Sequence, residues 1–139
     1  MNESPIWQEI LQRSETIAVV GLSRDPAKDS HSVAAYLQSQ GYRIIPVNPH
    51  AQEILGEKCY PDLLSIPVPV DVVDIFRPSE DVPPIVDQAI AIGARAVWMQ
   101  VGVAHPQAAE KARRAGLLVV MDTCIRTAHR QWASRLRTA

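Results

Sequence analysis

Thr16-Ile17-Ala18-Val19-Val20-Gly21-Leu22-Ser23 is a short apolar run that halts at a glycine and opens into a polar loop. Its nearly continuous apolarity suits a strand covered on both faces, as parallel strands are. Four runs of the same kind follow: Arg43-Ile44-Ile45-Pro46-Val47-Asn48, Asp71-Val72-Val73-Asp74-Ile75-Phe76, Arg95-Ala96-Val97-Trp98-Met99-Gln100 and Leu117-Leu118-Val119-Val120-Met121-Asp122. Successive runs start 22–28 residues apart. Helical patterns fill the gaps, and three of them end at Gly41, Gly93 and Gly116. That is the rhythm of a parallel sheet with crossover helices. The expected fold is therefore α/β, a Rossmann-like parallel sheet of about five strands with helices on both faces. Numbering the runs along the chain, the expected strand order is 3-2-1-4-5. Ligands of such sheets bind outside the carboxyl ends of the strands, so the residues after each run are where function is sought.

The bulk properties narrow the classes. A chain of 139 residues reads as one domain, residues 1–139, with an N-terminal helix within 1–15 and a helix end and tail at 130–139. Hydrophobic residues make up 47%, which is ordinary for a globular chain and too high for a disordered one. The net charge of −1 lacks the basic excess of a non-specific nucleic-acid binder. The apolar runs are strand-sized, well short of a membrane span. Met1-Asn2-Glu3-Ser4-Pro5 does not read as a signal peptide. Two cysteines, Cys59 and Cys124, make neither a disulfide framework nor a zinc site, and a reducing cytoplasm is the expected setting.

Between the strands, Ser4-Pro5 is expected to open a helix running to about Ser14, with serine as cap and proline in the first turn. A second helix follows the loop and ends near Gln40. Residues 51–69, with Gly56, Pro61, Pro67 and Pro69, read as loop with at most short regular pieces. The third strand spans 70–76. Ser79 can cap a helix that carries Pro83 and Pro84 in its opening turns, which argues for a late or irregular start. A fourth helix starts near His105-Pro106, and a last one runs from about Cys124 to Leu136.

The loop Gly21-Leu22-Ser23-Arg24-Asp25-Pro26-Ala27-Lys28-Asp29-Ser30 is the strongest binding candidate. It leads from a strand into a helix amino terminus, whose free N–H groups and partial positive charge suit a phosphate. Gly21 permits the turn, Ser23 and Ser30 bring hydroxyls, and Arg24 and Lys28 bring charge. The plainer reading is a solvated loop in which Ser30 caps the helix and Asp25 and Asp29 offset the cations. The dinucleotide fingerprint wants three glycines here and an acid after strand two for the ribose. This chain has one glycine, and Val47-Asn48-Pro49-His50 supplies no carboxylate. Asn48 and Pro49 can meet a base or ribose, or simply end the strand. Phe76-Arg77-Pro78 can pack on a base and neutralise a phosphate, or be a core aromatic with a solvated arginine. Trp98 reads as core, while Gln100 can face the crevice. His105 reads as a cap or surface residue. Cys124 stands near a helix amino terminus, but His129 is five residues on, off the helical neighbour spacing. It reads as packing, so no catalytic residue and no metal ligand set is assigned.

Together these motifs resemble the small stand-alone CoA-binding proteins, and the amino-terminal CoA-binding domain of the succinyl-CoA synthetase alpha subunit. The resemblance runs through Gly21-Leu22-Ser23, Pro26 to Ser30, Gly41-Tyr42, Pro46-Val47-Asn48-Pro49, Val72 to Pro78, Val97 to Gly102 and Asp122-Thr123-Cys124-Ile125. It implies a coenzyme A or acyl-CoA ligand. Gly21, Ser23, Arg24, Lys28 and Ser30 would hold phosphates; Val47, Asn48 and Pro49 would line the nucleotide end; Phe76, Arg77 and Pro78 would flank the ligand. CoA carries a 3′-phosphate on its ribose, so the missing acid after strand two fits. The synthetase's glycine-rich loop and its second, histidine-bearing domain have no counterpart in this sequence. Binding without catalysis is the expected function. The rivals are an NAD(P)-binding or redox enzyme using Cys124, and a nucleotide-sensing interaction module whose partner protein supplies the function.

Overall fold

The computed structural model describes residues 5–138. Five parallel strands form one sheet: β1 (Thr16–Val20), β2 (Arg43–Val47), β5 (Val72–Ile75), β6 (Ala96–Met99) and β7 (Leu118–Val120). A short antiparallel ribbon, β3 (Glu53–Ile54) and β4 (Glu57–Lys58), lies in the proline-rich stretch after β2. Five α-helices accompany the strands: α1 (Ile6–Arg13), α2 (Asp29–Ser39), α3 (Val82–Ala91), α4 (Pro106–Arg114) and α5 (Ile125–Thr138). The serine expected to cap α1, Ser4, lies outside the described residues.

Four of the strands are almost wholly buried and β7, at the sheet edge, is half-buried, which is why their sequences do not alternate. One layer packs α1, α2 and α5 against Ile17, Val19, Val72 and Trp98. The other packs α3, α4 and Leu63 against Ala18, Val20, Val73, Ile75, Val97 and Met99. Trp98 is fully buried and its indole N–H donates to the Thr123 carbonyl at 2.8 Å, so it is core as read. Pro83 and Pro84 sit in the first turn of α3, where the missing N–H groups would have had no helical acceptor, and a 3₁₀ turn at Ser79–Asp81 makes the irregular start. His105 caps α4, its Nδ1 accepting from Ala108 N–H at 3.1 Å.

The fold class is as expected, but the strand order is not. The order is β2-β1-β5-β6-β7, so the third long strand pairs with β1 rather than beyond β2. Two physical reasons decide it. Pro46 sits in β2 and lacks an N–H. Its carbonyl accepts from Tyr60 N–H, on the side away from β1, so its nitrogen faces outward too. A strand with that edge suits the rim of the sheet. The second reason is handedness. The β1-to-β2 connection passes over one face with α2, whereas the next connection buries Leu63 in the opposite face. A right-handed crossover on that face must lead back past β1. The chain therefore reverses between β1 and β5, and their carboxyl ends form the crevice at the reversal.

Candidate functional site

Gly21 and Phe76 meet at that crevice. Gly21 has φ +87°, and a Cβ there would lie 2.5 Å from the Phe76 carbonyl oxygen. Glycine is required twice, by backbone angle and by close approach. Two cavities open on either side of this contact. The larger, about 590 Å³, is lined by Gly21, Ser23, Val47, Asn48 and Pro49 from the β1 and β2 ends. His50 continues that wall, and Asp62, Ile85 and Gln88 complete the lining from the next connection and α3. The smaller, about 360 Å³, is lined by Phe76, Pro78 and Gln100, with Val33, Cys124 and Arg126 opposite. Arg77 borders both.

The loop after β1 holds its shape by its own polar groups. Ser23 N–H donates to Ser30 Oγ at 2.9 Å, Asp25 N–H donates to Ser23 Oγ at 3.0 Å, and Ala27 N–H donates to Asp25 Oδ1 at 2.9 Å. Ser30 thus braces the loop instead of capping α2, which has no side-chain cap. An uncapped helix amino terminus keeps its N–H groups and partial positive charge available to an anion. Asn48 ties the two neighbouring loops: its Nδ2 donates to the Leu22 carbonyl at 3.0 Å and its Oδ1 accepts from His50 N–H at 2.8 Å. The strand terminator is therefore also a brace for the wall of the larger cavity.

The polar floor of the smaller cavity has an unusual support. Gln100, nearly buried, donates through Nε2 to Asp74 Oδ1 at 2.7 Å. Asp74 is fully buried in the middle of β5, beside Val19 and Trp98. Among the described residues its Oδ2 is the one buried side-chain oxygen or nitrogen without a partner. Desolvation, only partly offset by the Gln100 hydrogen bond, pushes the Asp74 carboxyl up to about 8. Arg77 pairs with Asp81 at 2.8 Å, both side chains about half exposed, a contact weak enough for an incoming anion to replace.

The family model described as CoA binding domain matches residues 15–130. The chain belongs to that family. The uncharacterized protein YneT of Bacillus subtilis (strain 168) is 43% identical over 88% of this chain and 90% of its own length. A hypothetical protein of Pyrococcus horikoshii OT3 has a TM-score of 0.88 at 39% identity, covering 94% of this chain and 98% of that one. The chain also resembles a segment of acetate–CoA ligase (ADP-forming) II of Archaeoglobus fulgidus, at 36% identity over 58% of this chain but only 12% of the ligase.

Within this CoA binding domain, the residues expected at the site separate into three groups. Gly21, Ser23, Val47, Asn48, Pro49 and Arg77 line the larger cavity. Phe76, Arg77, Pro78 and Gln100 line the smaller. Arg24, Lys28 and Ser30 line neither: the two cations are exposed on the loop and the serine is turned into it. Sequence reasoning missed Asp62, Ile85 and Gln88, which arrive from a loop and α3 with no local motif. Asp62 is held by Ser65, accepting from both its N–H and Oγ, and Gln88 accepts from Leu63 N–H, so both shape that part of the lining. Cys124 is half-buried at the rim of the smaller cavity, while His129 turns away, its Nδ1 2.7 Å from the Tyr36 hydroxyl. Burial lowers the His129 pKa and it gives the thiol no base.

Proposed function

We propose that this domain binds coenzyme A or an acyl-CoA across the two cavities and carries out no chemistry of its own. The observation that carries the reading is the pair of cavities joined at Arg77 beside the Gly21–Phe76 contact. CoA is a nucleotide with a long amide arm, and a divided crevice suits it. The nucleotide would occupy the larger cavity and the arm the smaller, with Arg77 and the start of α2 offering charge to the phosphates between. Asn48 stands where a dinucleotide site places its ribose carboxylate, and its side chain is engaged by the loops. A phosphorylated ribose needs no such acid. Family membership supports the ligand class. No helix among the described residues is long and apolar enough to cross a membrane.

Melting midpoints in CoA, acetyl-CoA, NAD, NADP and ATP test the ligand. CoA at about a hundredfold excess over its dissociation constant is expected to stabilise the fold by about 2–3 kcal/mol. A midpoint raised by NAD and unmoved by CoA would reject the proposal. The absence of chemistry is tested separately. Cys124→Ser is expected to hold CoA affinity within a few-fold and to cost about 1 kcal/mol of stability. Thioester hydrolysis or acyl transfer from acetyl-CoA that rises above background and vanishes in Cys124→Ser would make the protein an enzyme.

A further inference from the structure

We propose that Asp74 is a positioning residue: it fixes the Gln100 carboxamide so that the Gln100 oxygen faces the smaller cavity and accepts a hydrogen bond from an amide N–H of the ligand arm. The inference rests on the reading that CoA is the ligand. Its own support is geometric. Asp74 interrupts the apolar strand Val72–Ile75, where a carboxyl disrupts burial and a valine would pack better. Its one side-chain hydrogen bond is the 2.7 Å bond from Gln100 Nε2. Asp74 Oδ1 accepts this bond whether the carboxyl is neutral or ionised, so the Gln100 N–H₂ is held inward. The Gln100 oxygen is left over. It is not among the buried atoms lacking a partner, and Gln100 lines the cavity. The cavity has apolar walls at Phe76, Pro78 and Val33 and charged residues Asp29, Arg77 and Arg126 in its lining, so a fixed acceptor on Gln100 is a recognition point for a secondary amide, of which the CoA arm contains two. A glutamine without Asp74 would sample both orientations and present a donor part of the time.

Three variants test this by titration calorimetry with CoA and with adenosine 3′,5′-bisphosphate, which lacks the arm. Asp74→Leu is expected to weaken CoA about tenfold and leave the bisphosphate unchanged. Gln100→Leu is expected to do the same, and the double variant to lose no more than either single one, because both remove one contact. Asp74→Asn keeps an oxygen that accepts from Gln100 Nε2, so it is expected to bind CoA within about threefold of the wild type. Equal CoA affinity in Asp74→Leu and the wild type overturns the inference. So does an equal loss for both ligands, or an Asp74→Asn protein as weak as Asp74→Leu. Asp74→Asn keeps the test open should Asp74→Leu fail to fold. A wild type that does not bind CoA overturns both this inference and the ligand reading, whereas binding that ignores Asp74 overturns this inference alone.

Discussion

Asp74→Asn is expected to be no more stable than the wild type at pH 4 and several kcal/mol more stable at pH 8. Burial raises the Asp74 carboxyl from 3.8 to about 8, so the folded protein holds a proton there that the unfolded chain has already released. Between those values the unfolded state binds fewer protons than the native one, and stability falls as pH rises. Below about 4 both states are protonated and no stability is lost; by about 8 the loss is complete, on the order of 5 kcal/mol for a shift of this size. Asparagine has the same shape and no titration. It leaves an N–H₂ where Oδ2 now stands unpartnered, which costs about 1–3 kcal/mol at every pH. The difference between the two proteins is therefore expected to reverse sign with pH. Urea unfolding at intervals from pH 4 to 8.5 measures it. Parallel stability curves for wild type and variant would mean that Asp74 titrates normally, and that the carboxyl is reached by water.

The sequence made the strands legible because burial on both faces leaves a short apolar run that no exposed element shares. It did not make their order legible. Spacing says where strands are and nothing about which side of β1 receives the third. The residue that carried the answer was Pro46, since a missing N–H marks an edge. The lining of the candidate site was legible at the strand ends, at Gly21, Asn48 and Arg77. It was not legible at Asp62 and Gln88, whose approach to the larger cavity depends on the path of residues 51–69, a stretch with almost no periodic signal. Ser30 illustrates a different limit. A serine before a helix reads as a cap, and only the folded loop reveals that its hydroxyl accepts from Ser23 instead. The acid inside Val72-Val73-Asp74-Ile75 passed as part of an apolar run, because its partner, Gln100, is 26 residues away.

Gly21→Ala is expected to be the most damaging small substitution at the site. Alanine at φ +87° is strained by about 1–3 kcal/mol wherever it occurs. Here the methyl group also lies 2.5 Å from the Phe76 carbonyl oxygen, a backbone atom that cannot swing aside. Relief requires β1 and β5 to part at their carboxyl ends, where Phe76 N–H donates to the Val20 carbonyl at 2.9 Å. Strain and separation together should cost about 3–5 kcal/mol. Gly93→Ala is the matched control: its φ is +72°, and nothing lies within 4 Å of the added Cβ. It should lose only the backbone strain, about 1 kcal/mol. The two variants differ further in binding. Parting β1 from β5 shifts Arg77, which borders both cavities, so Gly21→Ala is expected to lose at least tenfold in CoA affinity while Gly93→Ala binds as the wild type does. Denaturant unfolding and a CoA titration on both proteins give the comparison. Equal destabilisation in the two would show that the contact with Phe76 relaxes at no cost, and a folded Gly21→Ala with full CoA affinity would move the ligand away from the crevice between β1 and β5.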